Sequence, residues 1–152
     1  MSAAYFYHLT HRPLEVTLPS LLAKSLQAGW RVYVRGGDRE RLKWLDEKLW
    51  LGSDDSFLPH GLEGGDHDAD QPILLGASTI SANGAACLIS IDGAKIDPPE
   101  VAANERVCVI FDGNDHDALG VARTQWKTLT DAGCSAQYWS EESGNWQKKA
   151  ES

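Results

Sequence analysis

The chain has 152 residues, a formal net charge of −8 and 24% charged residues, with composition otherwise ordinary for one globular domain. No stretch approaches the roughly 20 continuous apolar residues that a bilayer crossing needs. A repulsive negative field disfavours nucleic acid and anionic lipid, because each phosphate contact rests on Lys or Arg, so any role at DNA is expected through another protein.

The first residues, MSAAYFYHLTHRP, lack the basic end, apolar run and small-residue cleavage site of a secretory signal, which makes the cytoplasm the expected address. Aromatics over 3–9 predict a strand, broken by His11-Arg12-Pro13. Residues 17–29 read as a helix, with Thr17 as cap, Pro19 in the first turn, Leu22 and Leu26 four apart, and Gly29 as terminator. Residues 31–35 alternate as a strand, and Gly36-Gly37-Asp38 turns the chain into a second helix with Leu42, Leu45 and Leu49 on one face. The stretch LWLGSDDSFLPHG that follows carries more apolar surface than a simple turn requires.

Residues 62–71 and 81–84 are expected as surface loops. Short apolar runs at 72–76, 85–91 and 106–111 predict buried strands. A helix over 117–133 and a strand over 135–140 complete the regular part, and about 145–152 is expected as a flexible tail. Strands alternating with helices predict one α/β domain, a central and mostly parallel sheet with helices on each side.

Ligands in such folds gather at the C-terminal edge of the strands, which directs attention to the loops Gly36–Asp38 and Asp112–Asp115. Neither carries a nucleotide fingerprint, and no G-x-S-x-G elbow occurs. DHDAD at 66–70 has donor atoms without the spacing of a calcium loop or a paired-histidine zinc site, so no metal and no cofactor is expected. His8 and His11 are better read as structural than as acid–base groups. Cys87, Cys108 and Cys134 are odd in number and lie in apolar or small-residue runs, the setting of reduced structural cysteine.

The last helix carries the strongest binding signal. Arg123 and Lys127 share a face and Trp126 borders it, so two cations beside an indole can take a carboxylate and an apolar group together. The plainer alternative is that Trp126 is core and the cations form a wetted helix face.

Several blocks then follow one another in a family-like order: FYHL, GWRVYV, LDEKLW running into SFLPHG, QPILL, ERVCVIFDG, ARTQWKTLTDAG, and YW with GNWQKKA. Over nearly its full length the chain resembles the chi subunit family of bacterial DNA polymerase III. That resemblance implies a three-layer α/β/α domain on a mostly parallel five-stranded sheet, and no catalytic activity. It implies an accessory role beside the clamp loader, binding to the acidic, Pro-Phe-ending C-terminal tail of single-stranded-DNA-binding protein, and in some bacteria binding to the small psi subunit. It further implies that Arg123 takes the terminal carboxylate, Trp126 supplies an aromatic side, Lys127 meets acidic residues, and Trp50 and Phe57 with Pro59 form an apolar wall. Leu119 stands where some relatives carry a lysine, which makes the patch less basic. The alternative from another class is a nucleotide-handling or hydrolytic enzyme acting at Gly36–Asp38 and Asp112–Asp115.

Overall fold

Apolar runs with no polar alternation bury both faces of their strands, and here they do so against helices on either side. The computed structural model describes residues 3–51, 59–141 and 146–152. In chain order the elements are β1 (Ala4–Leu9), α1 (Leu14–Gln27), β2 (Val32–Gly36), α2 (Arg39–Trp50), β3 (His60–Leu62), β4 (Ile73–Gly76), β5 (Cys87–Ile91), α3 (Pro98–Ala103), β6 (Arg106–Asp112), α4 (His116–Asp131), β7 (Ala136–Ser140) and β8 (Gln147–Glu151), with a 3-10 turn at Asp68–Asp70. They build one sheet in the order β3-β4-β2-β5-β6-β1-β7-β8. Every pair is parallel except β7 with β8.

Successive strand residues point to opposite layers. Val32, Val34, Ile73, Leu75 and Ile89 meet the apolar faces of α1 and α2 through Leu18, Leu22, Leu42, Leu45 and Leu49. Tyr33, Leu74, Leu88, Val107 and Val109 meet α3 and α4 through Val101, Ala122 and Leu129. The three-layer reading holds, and the five-stranded sheet is corrected to eight strands among the described residues. Beyond the six strands visible as apolar or aromatic runs, β3 is only three residues long, and β8, expected as a flexible tail, is an exposed edge strand of sequence QKKAE. Backbone pairing with β7 holds β8, so it shows no apolar period.

Helix boundaries follow the capping chemistry. Asp38 caps α2 as expected, its carboxylate accepting from the Glu40 N–H at 2.9 Å. Helix α1 begins three residues before Thr17, after Pro13 at φ −72°. Thr17 is therefore buried inside the helix, and Pro19 lies past the first turn. Gly29 and Gly133 adopt φ of +85° and +88° just beyond α1 and α4, a conformation glycine takes without penalty.

One buried charge ties three segments together. Arg35 on β2 is buried and forks onto the Glu100 carboxylate of α3 at 2.9 and 2.8 Å. It also donates to the carbonyls of Ser78, Thr79 and Lys95 at 2.8 to 3.1 Å. Burial works against ionisation of Glu100, but Arg35 and the Asp97 N–H outweigh it and hold the carboxyl below its usual range. Removing one partner of such a pair strands the other charge, a loss of roughly 3–5 kcal/mol. Arg35→Ala is expected to lose stability of that order in urea unfolding at neutral pH; a loss under about 1 kcal/mol contradicts the interlock.

Candidate functional site

Helix α4 starts at Asp115, whose carboxylate accepts from the N–H groups of Asp117 and Ala118 at 2.9 and 3.2 Å. From there Ala122, Gln125 and Leu129 face the sheet, and the 3.6-residue period turns Arg123 and Lys127 outward. Both cations are exposed. The ion pairs formed among the described residues do not include Arg123. Lys127 reaches Asp131 at 3.1 Å, with both side chains mostly in water, an interaction weak enough for a competing carboxylate to displace.

Trp126 is half-buried, packed against the core on one side. Its ring packs edge-on against Phe6 at 5.3 Å and near Tyr138 at 6.0 Å, within the α4-side core. Tyr138 Oη lies 2.6 Å from His8 Nδ1, and His8 also packs on Phe111 at 5.3 Å. His8 thus holds the aromatic floor beside α4. Leu119 packs into the same layer, where a lysine would have to bury its stem or swing out.

Trp50 is not brought to Arg123. It ends α2, whose apolar face meets the opposite layer of the sheet, near the β3 edge. Its indole stacks on His60 at 4.3 Å and is 55% exposed, and Leu51 next to it is 79% exposed. His60 is buried, with Nε2 3.1 Å from the Asp46 carbonyl. Phe57, the other expected wall residue, lies outside the described residues.

At the C-terminal edge of the sheet, β1 feeds α1 in one layer while its neighbour β6 feeds α4 in the other, the arrangement in which α/β folds open a crevice. The loop after β1 is drawn around an internal anion. Glu141, buried just after β7, accepts from the backbone N–H groups of Thr10, His11 and Arg12 at 3.1, 3.1 and 2.9 Å through Oε1. Burial opposes its ionisation, yet the donors from Arg12, Thr10 and His11 outweigh that and lower its pKa. The chain's own carboxylates therefore meet the strand-end donors at 10–12, at Asp38 and at Asp115. Sequence reading missed Glu141, because its contacts span about 130 positions and no local pattern marks them.

Among the described residues no group of three or more His, Cys, Asp and Glu side chains is arranged to hold a metal ion. Asp68 of the acidic loop instead accepts from the N–H groups of Gly64 and Gly65 at 2.9 and 3.0 Å. Among the described residues no helix is long and apolar enough to cross a membrane. Cys87 and Cys108 are free and buried, and Cys134 is free and half-buried.

A family model described as DNA polymerase III chi subunit, HolC, matches residues 1–137 of the chain. No curated protein gives a significant match.

Glu141→Ala leaves three donors without their acceptor and is expected to cost about 2–3 kcal/mol in urea unfolding at pH 7. A carboxyl whose pKa is lowered by folding stabilises fully above its unfolded value of about 4.3 and loses that contribution as pH falls through the lowered folded value. Glu141→Gln should therefore show a shallower fall in stability below about pH 4 than the parent chain. Identical acid limbs in the two proteins contradict the assignment.

Proposed function

The chain belongs to the DNA polymerase III chi subunit family, and on that premise we propose that it captures the acidic C-terminal tail of single-stranded-DNA-binding protein on α4 and links it to the clamp loader. Membership of that family gives the chain an accessory role in replication. In this proposal it works in the cytoplasm and catalyses nothing itself.

The observation that carries the tail reading is the exposed Arg123 guanidinium, outside the ion pairs of the described residues and one helical turn from Lys127, beside the half-buried Trp126. A terminal carboxylate gains two parallel charge-assisted hydrogen bonds from such a fork, and an adjoining phenyl ring gains contact with the indole. Lys127 adds attraction for acidic residues further along. Lys148 and Lys149 are held in β8, where Lys148 pairs with Glu151 at 2.7 Å, and they contribute field rather than contact. An acidic body with this local cationic patch stays off the DNA backbone while receiving an acidic peptide.

A link needs two separate surfaces, and the position of Trp50 in the other layer supports a second one. Trp50 and Leu51 form an exposed apolar corner in the layer opposite α4. In this reading that corner faces the clamp loader, directly or through psi where that subunit is present. The enzymatic alternative draws little support from the loops 36–38 and 112–115, since Asp38 and Asp115 already take the helix N–H groups that a phosphate would need.

Fluorescence anisotropy with a labelled acidic peptide ending in Pro-Phe tests the reading. Affinity in the micromolar range is expected, falling about 10- to 100-fold in Arg123→Ala and less in Lys127→Ala. Trp50→Ala should leave the peptide affinity within about twofold of the parent while weakening the clamp-loader contact. Undiminished binding by a folded Arg123→Ala protein, or no saturable binding by the parent, overturns it.

A further inference from the structure

The crevice between the β1–α1 and β6–α4 loops is a cleft of about 760 Å³, a volume ordinary for ligand sites. Asp117, Ala118, Val121 and Gln125 of α4 line it, whereas Arg123, Trp126 and Lys127 do not. It is therefore a different surface from the one proposed for the acidic tail.

Its floor is apolar: Leu9, Leu14, Val109 and Phe111 are buried there, and Val121 rises from the wall at 44% exposure. Its rim is acidic. Arg41 is neutralised by Asp92 at 3.2 Å. That leaves Arg12 against Glu15, Asp112, Asp115 and Asp117, one positive and four negative charges, or a formal −3. The N-termini of α1 and α4 each bring roughly half a positive charge, which still leaves about −2. Phosphate or carboxylate ligands are disfavoured twice over, by that field and because Glu141 and Asp115 already accept the available loop N–H groups.

We propose that this cleft docks a basic peptide segment of a partner protein, with a Leu or Phe side chain inserted against Val121 and Phe111 and flanking Lys or Arg meeting Glu15 and Asp117. The apolar floor supplies the anchor pocket, and the acidic rim selects the sign of the flanking residues. The two proposed sites thus select peptides of opposite charge. A chain of net −8 can hold both kinds because each field is local on the scale of a Debye length.

The test uses the full chain and three short labelled peptides built around a Leu-Phe pair, flanked by Lys and Arg, by Ser and Gln, or by Glu. The basic peptide should bind saturably, weaken as salt rises, and lose about tenfold or more in affinity in Val121→Lys and in the double variant Glu15→Gln, Asp117→Asn. Near-ultraviolet circular dichroism checks that each variant is folded, and the double variant carries the test if Val121→Lys is not. Arg123→Ala should bind the basic peptide as the parent does. Equal binding of the neutral or acidic peptide, parental affinity in a folded cleft variant, or loss on Arg123→Ala overturns the proposal. Self-association of the chain abolished by the cleft variants would likewise overturn it, by assigning the cleft to a second copy.

Discussion

The rest of the molecule depends on the divergence of two neighbouring parallel strands. Because β1 and β6 pair side by side yet send their following helices to opposite layers, α1 and α2 cover one face while α3 and α4 cover the other. The crevice at their C-terminal ends is the unavoidable gap where the two crossovers part. The same divergence sets α4 near β1 and β7, and places the end of α2 by the short β3 edge on the far layer. One topological constraint thus yields two separated helix surfaces and, between the loops that lead into α1 and α4, a cleft.

Within that frame, carboxylates do the work that ligands do in many related architectures. Asp38, Asp97 and Asp115 sit at the N-terminal ends of α2, α3 and α4, and Glu141 fills the curl of backbone N–H groups between β1 and α1. Satisfying these donors internally rigidifies the C-terminal edge of the sheet and leaves a negative field over it. A fold able to cradle phosphate becomes one that disfavours it at these loops. Stability and electrostatic selection come from the same side chains.

Much of the layered fold was legible because buried parallel strands are short continuous apolar runs, and PILLG, AACLISI and RVCVIF are unmistakable examples. Leu42, Leu45 and Leu49 likewise announced α2, and Asp38 its start. Where the reading fell short, no apolar period existed to be read. QKKAE is held by backbone pairing with β7 rather than by a buried face of its own, and six-residue α3 depends on the capping box of Asp97 and Glu100. Thr17 looked like a cap, but Pro13, with φ already fixed, starts the helix earlier. The spacing of Arg123, Trp126 and Lys127 was sufficient to put them side by side. Their separation from Trp50 was not visible, because it depends on the order in which β6, β1 and β7 lie in the sheet.

The central claim is that the α4 face alone receives the acidic tail, and that α2 on the other layer serves a different contact. Amide hydrogen exchange of the full chain with and without the acidic Pro-Phe peptide reads both helices at once. Added protection concentrated in residues 116–131 and the adjoining β7, with the exchange of residues 39–51 unchanged, is the expected result. Protection centred on residues 39–51, or spread equally over both helices, would contradict the division of labour between the two layers.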